Sequence, residues 1–152
     1  MKLGGEEKNK LFKYLSKEIL ISLDTSDKKG NLWSASVYFA SDKDLNFYFM
    51  SSSSTVHCRN IKNNPNVSFT IADSNQRPQD DKFGVQVAGT CKHIYNLPEI
   101  IKILKIWNIK FVKKPVPPLK SMKLDSPFYR ITPQKMKIYD SKAKEKQVLY
   151  TF

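Results

Sequence analysis

One run of the chain concentrates residues able to do chemistry: Ser51-Ser52-Ser53-Ser54-Thr55-Val56-His57-Cys58-Arg59-Asn60-Ile61-Lys62-Asn63-Asn64-Pro65-Asn66-Val67-Ser68-Phe69. It reads as a strand end, a hydroxyl-rich loop, a short helix, a proline stop and a new strand. The first turn of a helix presents backbone N–H groups that lack intrahelical partners. Thr55, His57 and Arg59 would surround those groups, so the run predicts an anion site fit for a phosphate. The competing reading is an ordinary surface helix with a histidine and a solvent-facing or ion-paired arginine.

Other reactive constellations are missing from the sequence. Cys58 and Cys91 stand in unrelated contexts, with no Cys-x-x-Cys pair and no histidine-rich tract, so neither a structural disulfide nor a zinc site is expected. There is no Ser-His-Asp order, no carboxylate pair and no phosphate-cradling glycine loop.

The elements that must position the run follow from periodicity. Residues 7–19 place Leu11, Phe12, Leu15 and Ile19 at helical spacing, an amphipathic opening helix. Residues 19–25 read as a strand and 27–31 as a hairpin turn; strands follow at 32–40 and 45–50, with a turn at 41–44. After the short helix come strands at 67–72 and 83–94, the second bent at Gly89. Residues 98–111 return to helical spacing, Lys113 to Pro118 forms a stiff loop, and 128–139 supplies a last strand broken at Pro133. The expected fold is mainly β with inserted helices: a six-stranded antiparallel barrel of Greek-key type. One domain spans 1–140, its first 18 residues the amphipathic helix. The basic remainder, 141–152, is a tail in which Val148, Leu149, Tyr150 and Phe152 are able to dock.

At 152 residues with 40% apolar content, the chain is long enough for one proper core. No apolar run suffices for a bilayer span and the start has no signal-peptide core, so a cytoplasmic protein without a membrane segment is expected. The net charge of +12 raises nucleic-acid binding as a reading. Arginine occurs only at Arg59, Arg77 and Arg130, however, and the lysines are dispersed, which argues against it.

Alternation assigns Trp33, Ala35, Val37 and Phe39 to the core, with Leu45, Phe47, Phe49, Val67, Phe69, Ile71, Phe83, Val85 and Val87. The opposite face is small, hydroxyl-bearing or aromatic. No Lys or Glu falls within 31–41, 45–58 or 83–91, in a chain otherwise rich in lysine. A solvated sheet face would carry charge, so this one is expected to be covered by a second subunit or a flat ligand.

Five segments in order carry a family resemblance: Gly30-Asn31-Leu32-Trp33-Ser34-Ala35-Ser36-Val37-Tyr38-Phe39; 45–52; 55–68; Gly84-Val85-Gln86-Val87-Ala88-Gly89-Thr90; and Phe128-Tyr129-Arg130-Ile131-Thr132-Pro133 with Ile138-Tyr139. Over residues 19–140 the chain resembles the pyridoxamine 5'-phosphate oxidase-like, flavin mononucleotide (FMN)-binding split-barrel family. The resemblance implies a homodimer with FMN in clefts at the subunit interface, and a flavin-dependent oxidoreductase or flavin carrier. It implies that Ser34, Ala35, Ser36 and Val37 line the isoalloxazine ring, largely through backbone groups. Ser51 and Ser52 would sit at the cleft mouth, Gln86 would reach a ring heteroatom, and Thr55, His57 and Arg59 would hold the phosphate. Tyr139 would pack on the flavin from the other subunit. Where the oxidases commonly carry Arg-Lys before the short helix, this chain has Val56-His57. Their C-terminal Arg-x-His signature for the pyridoxal phosphate substrate has no counterpart after Tyr139, so true pyridoxamine phosphate oxidase activity is not expected. Some relatives bind or degrade haem; His57 and His93 are the imidazoles available for that alternative.

Overall fold

The same device makes the first two turns of the sheet. Asp27 accepts the backbone N–H groups of Lys29 (2.8 Å) and Asn31 (2.9 Å), with Gly30 at φ +85°. Asp42 likewise accepts from Asp44 (3.0 Å) and Asn46 (2.9 Å), with Leu45 at φ +64°. An aspartate bonding two and four residues onward locks each tight turn. Strands β1 (Leu20–Ser26), β2 (Leu32–Ser41) and β3 (Phe47–Met50) therefore run as a meander. Leu45, expected to open the third strand, is instead a buried turn residue.

The computed structural model describes residues 4–73, 75–112 and 128–152. After β3 the chain passes through α2 (Val56–Asn63) and returns on the far side of β1 as β4 (Asn66–Ala72), followed by β5 (Phe83–His93) and β6 (Phe128–Asp140). The order β3-β2-β1-β4-β5-β6, with β6 pairing back onto β3, closes a six-stranded antiparallel barrel. Its first four strands have the Greek-key order 4-1-2-3. The split-barrel expectation therefore holds.

Gly89 marks the bend, as its position in the sequence suggested. A Cβ there would lie 2.3 Å from the Thr132 carbonyl oxygen, and the register shifts so that Gly89 opposes Pro133 and Ala88 opposes Lys135. The bend divides β6. Its first half pairs with β3 and closes the barrel; its second half turns outward and pairs with β7 (Gln147–Thr151). The segment read as a tail thus contributes a seventh strand, with Tyr150 buried and Leu149 and Phe152 exposed.

Helix α1 (Gly5–Lys17) seats Leu11 and Leu15 in the main core, beside Phe39, Phe47, Phe69 and Met136. Ile19 lies beyond it and is exposed. Helix α3 (Leu97–Trp107) runs into a π turn, Asn108–Val112, and packs on the outside of the barrel. There Ile103 covers Tyr48, Ile94 and Phe128, so Tyr48, on the outward face, is only 1% exposed. Lys110 in the π turn donates to the Leu15 carbonyl (2.9 Å), and its ammonium lies 3.8 Å from the Phe39 ring centre; burial pulls it down to about 8. The stiff loop read at Lys113 to Pro118 lies outside the described residues.

One core assignment is corrected. Trp33 is 49% exposed, and only Val37 and Phe39 of its set are buried. The cause is topological: β4 pairs with β1 only from Ser22 to Asp24, so the Leu32–Trp33 end of β2 runs beyond the paired wall, while α2 covers Thr25 opposite Trp33.

Candidate functional site

Helix α2 starts where the sequence placed it. Thr55 is its N-cap, its hydroxyl accepting from the Cys58 N–H at 3.4 Å, and the first turn holds no acidic residue. The C-terminal end of the helix is tied to the β1 edge through Asn60 to the Thr25 hydroxyl (3.1 Å) and Asn64 to the Ser26 hydroxyl (2.8 Å).

At the helix start the structure brings three of the expected residues together. Ser51 Oγ lies 2.8 Å from His57 Nε2 and 3.3 Å from Thr55 Oγ1, and Thr55 Oγ1 lies 3.2 Å from the same imidazole nitrogen. His57 is 8% exposed, and its Nε2 lies within hydrogen-bond distance of both hydroxyls. Arg59 stands outside in solvent, its Nη1 donating to the Ser54 carbonyl. Ser52 and Ser54, 2.8 Å apart through their hydroxyls, are exposed beside it. An approaching anion would therefore meet Ser52, Ser54, the Arg59 guanidinium and the α2 end, a donor set without a competing carboxylate.

The outward faces of the strands line up in rows. One runs Ser36, Ser22, Thr70, Gln86, Lys137, Leu149 across β2, β1, β4, β5, β6 and β7. The next runs Ser34, Asp24, Ser68, Ala88, Lys135, Thr151. Ser34 and Ser36 are exposed and Ala35 is half-buried, while Val37 turns into the core and offers a ligand only its backbone. Gln86 is exposed on a central strand, with Tyr139 opposite Gly84 one pair away. A strand spacing of ~4.8 Å puts Gln86 roughly 14 Å from Ser36 along the sheet, and β6 one spacing farther. The β2 stretch and the Gln86–Tyr139 pair therefore stand well apart on one sheet face of the chain.

Two residues that sequence reasoning passed over belong to these patches. Cys58, buried beneath the helix start, would have its thiol pushed up by burial. Hydrogen bonds with His57, Thr55, Tyr129 and Ser51 outweigh that and hold it below the usual thiol range. Its position three residues after the N-cap was legible; its contact with Tyr129, from a strand seventy residues on, was not. Lys137 lies next to Gln86, which only the β5–β6 register reveals. The second histidine, His93, stacks on Tyr129 (4.6 Å, 14°), which in turn stacks on Phe49 (5.0 Å, 10°). Among the described residues there is no cluster of three or more His, Cys, Asp or Glu able to hold a metal, and no helix is long and apolar enough to cross a membrane.

This barrel has known counterparts. Residues 8–139 match the family model described as pyridoxamine 5'-phosphate oxidase. The chain belongs to that family in its broad, split-barrel sense. No individually curated protein sequence matches it. Among solved structures, it is similar to a Bacteroides thetaiotaomicron protein whose proposed role is 5-nitroimidazole antibiotic resistance (TM-score 0.73, 14% identity, covering 86% of this chain and 82% of that one). A Clostridium acetobutylicum protein related to general stress protein 26 matches with TM-score 0.67 and 12% identity, over 99% of this chain and 97% of the other. HutZ, the haem storage protein of Vibrio cholerae, matches with TM-score 0.67 and 14% identity, over 94% and 92%. At these identities the likeness concerns the fold.

Proposed function

We propose that the protein is an FMN-binding homodimer acting as a flavin-dependent oxidoreductase, located in the cytoplasm. The observation that carries this reading is the open sheet face around Ser36, Ser22, Thr70 and Gln86, free of charge within that row until Lys137, in a chain of net charge +12. A flat, uncharged ring system suits such a surface, and the acid-free start of α2 suits its phosphate. The residues fit the cofactor. Arg59, Ser52, Ser54 and the first-turn N–H groups would take the phosphate, with Ser51, Thr55 and His57 holding the loop in shape. Backbone groups of Ser34 to Val37 would border the ring. Because Gln86 and Tyr139 lie three strands or more along this face from Ser36, they would complete the site from the partner, which gives the dimer a reason to exist.

Bound FMN would supply the redox chemistry, and the protein would orient it, exclude water and tune its electronics. No side chain need act as a general acid or base. Pyridoxamine phosphate is not the proposed substrate, because the chain after Tyr139 reads Asp140-Ser141-Lys142 and leads into β7. The test is direct: the purified protein should be yellow and elute as a dimer, and a colourless protein that ignores added FMN would end the reading.

A second reading has a specific observation behind it. The similar Vibrio protein is named for haem storage, and His93 is half-buried at the end of β5, more accessible than His57. Haem binding through His93 predicts a Soret band on titration that a His93→Ala variant loses.

A further inference from the structure

Beyond the cofactor itself, the face of β4, β5, β6 and β7 carries a groove of about 410 Å³, floored by Thr70, Gly84 and Gln86 and walled by Tyr139 and Gln147. It continues past Gln86 into a second hollow of about 320 Å³, and both are lined by Lys137. The charges lining them are Lys82, Lys135, Lys137 and Asp24. Lys82 is anchored at the rim, its ammonium on the carbonyls of Pro78 (2.5 Å) and Asp80 (3.1 Å), and Asp24 accepts from the Ser68 hydroxyl at 3.3 Å. Among the described residues, Lys137 forms no ion pair or hydrogen bond through its side chain. It is half-buried, next to Gln86 in register and two residues from Tyr139.

An ammonium that the described residues leave without a partner, beside an amide in register and a tyrosine two residues on, is a receptor for an anion. Desolvating it against a neutral ligand is costly, whereas a carboxylate restores the missing partner. Gly84 leaves the floor flat opposite Tyr139, and the Tyr139 ring offers an apolar side. We propose that this groove binds a small planar aromatic carboxylate as the substrate, and that Lys137 is the specificity-determining charge. The proposal rests on the flavin reading, since Gln86 and Tyr139 border both.

The test is calorimetric titration of the purified protein with benzoate and with benzamide, its neutral isostere, at low salt. Wild type should bind benzoate at least tenfold more tightly than benzamide. Lys137→Gln should lose that preference and Lys137→Arg should keep most of it. Equal binding of the two probes, absence of benzoate binding, or a preference that survives Lys137→Gln would overturn the proposal. FMN affinity, read separately by quenching of flavin fluorescence, should change less than twofold in Lys137→Gln. A tenfold loss would assign the lysine to the cofactor and also overturn it. If wild type selects benzoate through Lys137 yet binds no FMN, the groove assignment stands and the flavin reading alone fails.

Discussion

Replacing Gly89 with alanine should damage the barrel far more than the same change at Gly84, five residues earlier on the same strand. At Gly89 the new methyl would stand 2.3 Å from the Thr132 carbonyl oxygen and 3.0 Å from Pro133 Cα. Ordinary contact begins near 3.4 Å, so the β6 backbone would have to retreat by about 1 Å (3.4 − 2.3). Both obstacles are backbone atoms in a paired strand, so the cost sits at the upper end of the overpacking range, about 3 kcal/mol. For a chain of this length that corresponds to a fall in Tm of about 6–12 °C. At Gly84 the methyl would meet the Ile71 carbonyl oxygen at 3.5 Å, an ordinary contact, and its φ is not in the left-handed region. Gly84→Ala should be neutral or slightly stabilising, by up to about 1 kcal/mol, through the unfolded chain. Thermal unfolding by circular dichroism compares the two. A Gly89→Ala protein melting within 2 °C of wild type, or a Gly84→Ala protein losing as much as Gly89→Ala, would refute the idea that this bend splits β6 between barrel closure and groove.

Asp42 should matter to stability in a pH-dependent way. Burial opposes its charge, but hydrogen bonds from Lys102 (2.8 Å), Tyr48 (2.8 Å) and Asn46 win and hold its carboxyl below the ordinary 3.8. A depressed folded value contributes stability above pH ~4 and loses it as pH falls through that value, so Asp42→Asn should flatten the acid limb of urea denaturation. Asp42→Ala, stranding the buried Tyr48 hydroxyl, should cost about 2–3 kcal/mol at neutral pH. For Cys58, thiolate absorbance at 240 nm should show one thiol ionising below the usual range and the other, Cys91, well above it because it is buried; two ordinary titrations would contradict the helix-start geometry. Arg59→Ala should weaken FMN about tenfold, the lower end for one exposed charge-assisted contact, and unchanged affinity would remove Arg59 from the site.

The local elements were legible in the sequence because their signals are local. Thr55 capping α2, Pro65 ending the turn after it, Asp27 with Gly30, and Gly89 in a long strand each announce a conformation within a few residues. Trp33 was misplaced because alternation reports two faces of a strand and not how far its neighbours extend. Leu45 was misplaced because the Asp42 turn consumes four residues where the hydrophobic run suggested strand. Tyr48 reads as a surface residue until α3, fifty residues later, is laid over it. Strand β7 escaped because charge dominates 141–152, while its pairing depends on the outward turn of β6. The site divides in the same way. The α2 hydroxyl and imidazole cluster lies in one contiguous run and could be read. The neighbours Gln86 and Lys137, and Cys58 with Tyr129, exist only through the register of distant strands.

The central claim is that the uncharged row Ser36, Ser22, Thr70 and Gln86 and the start of α2 together receive a phosphorylated flavin. Titrating FMN, riboflavin and ATP in parallel into the flavin-free protein, with quenching or displacement of flavin fluorescence as the signal, tests it most directly. FMN should bind with one site per chain and at least tenfold more tightly than riboflavin, the gap closing in Arg59→Ala, while ATP should fail to displace it. Equal affinity for FMN and riboflavin would remove the phosphate from α2, and no binding of either at 100-fold protein excess would contradict the account.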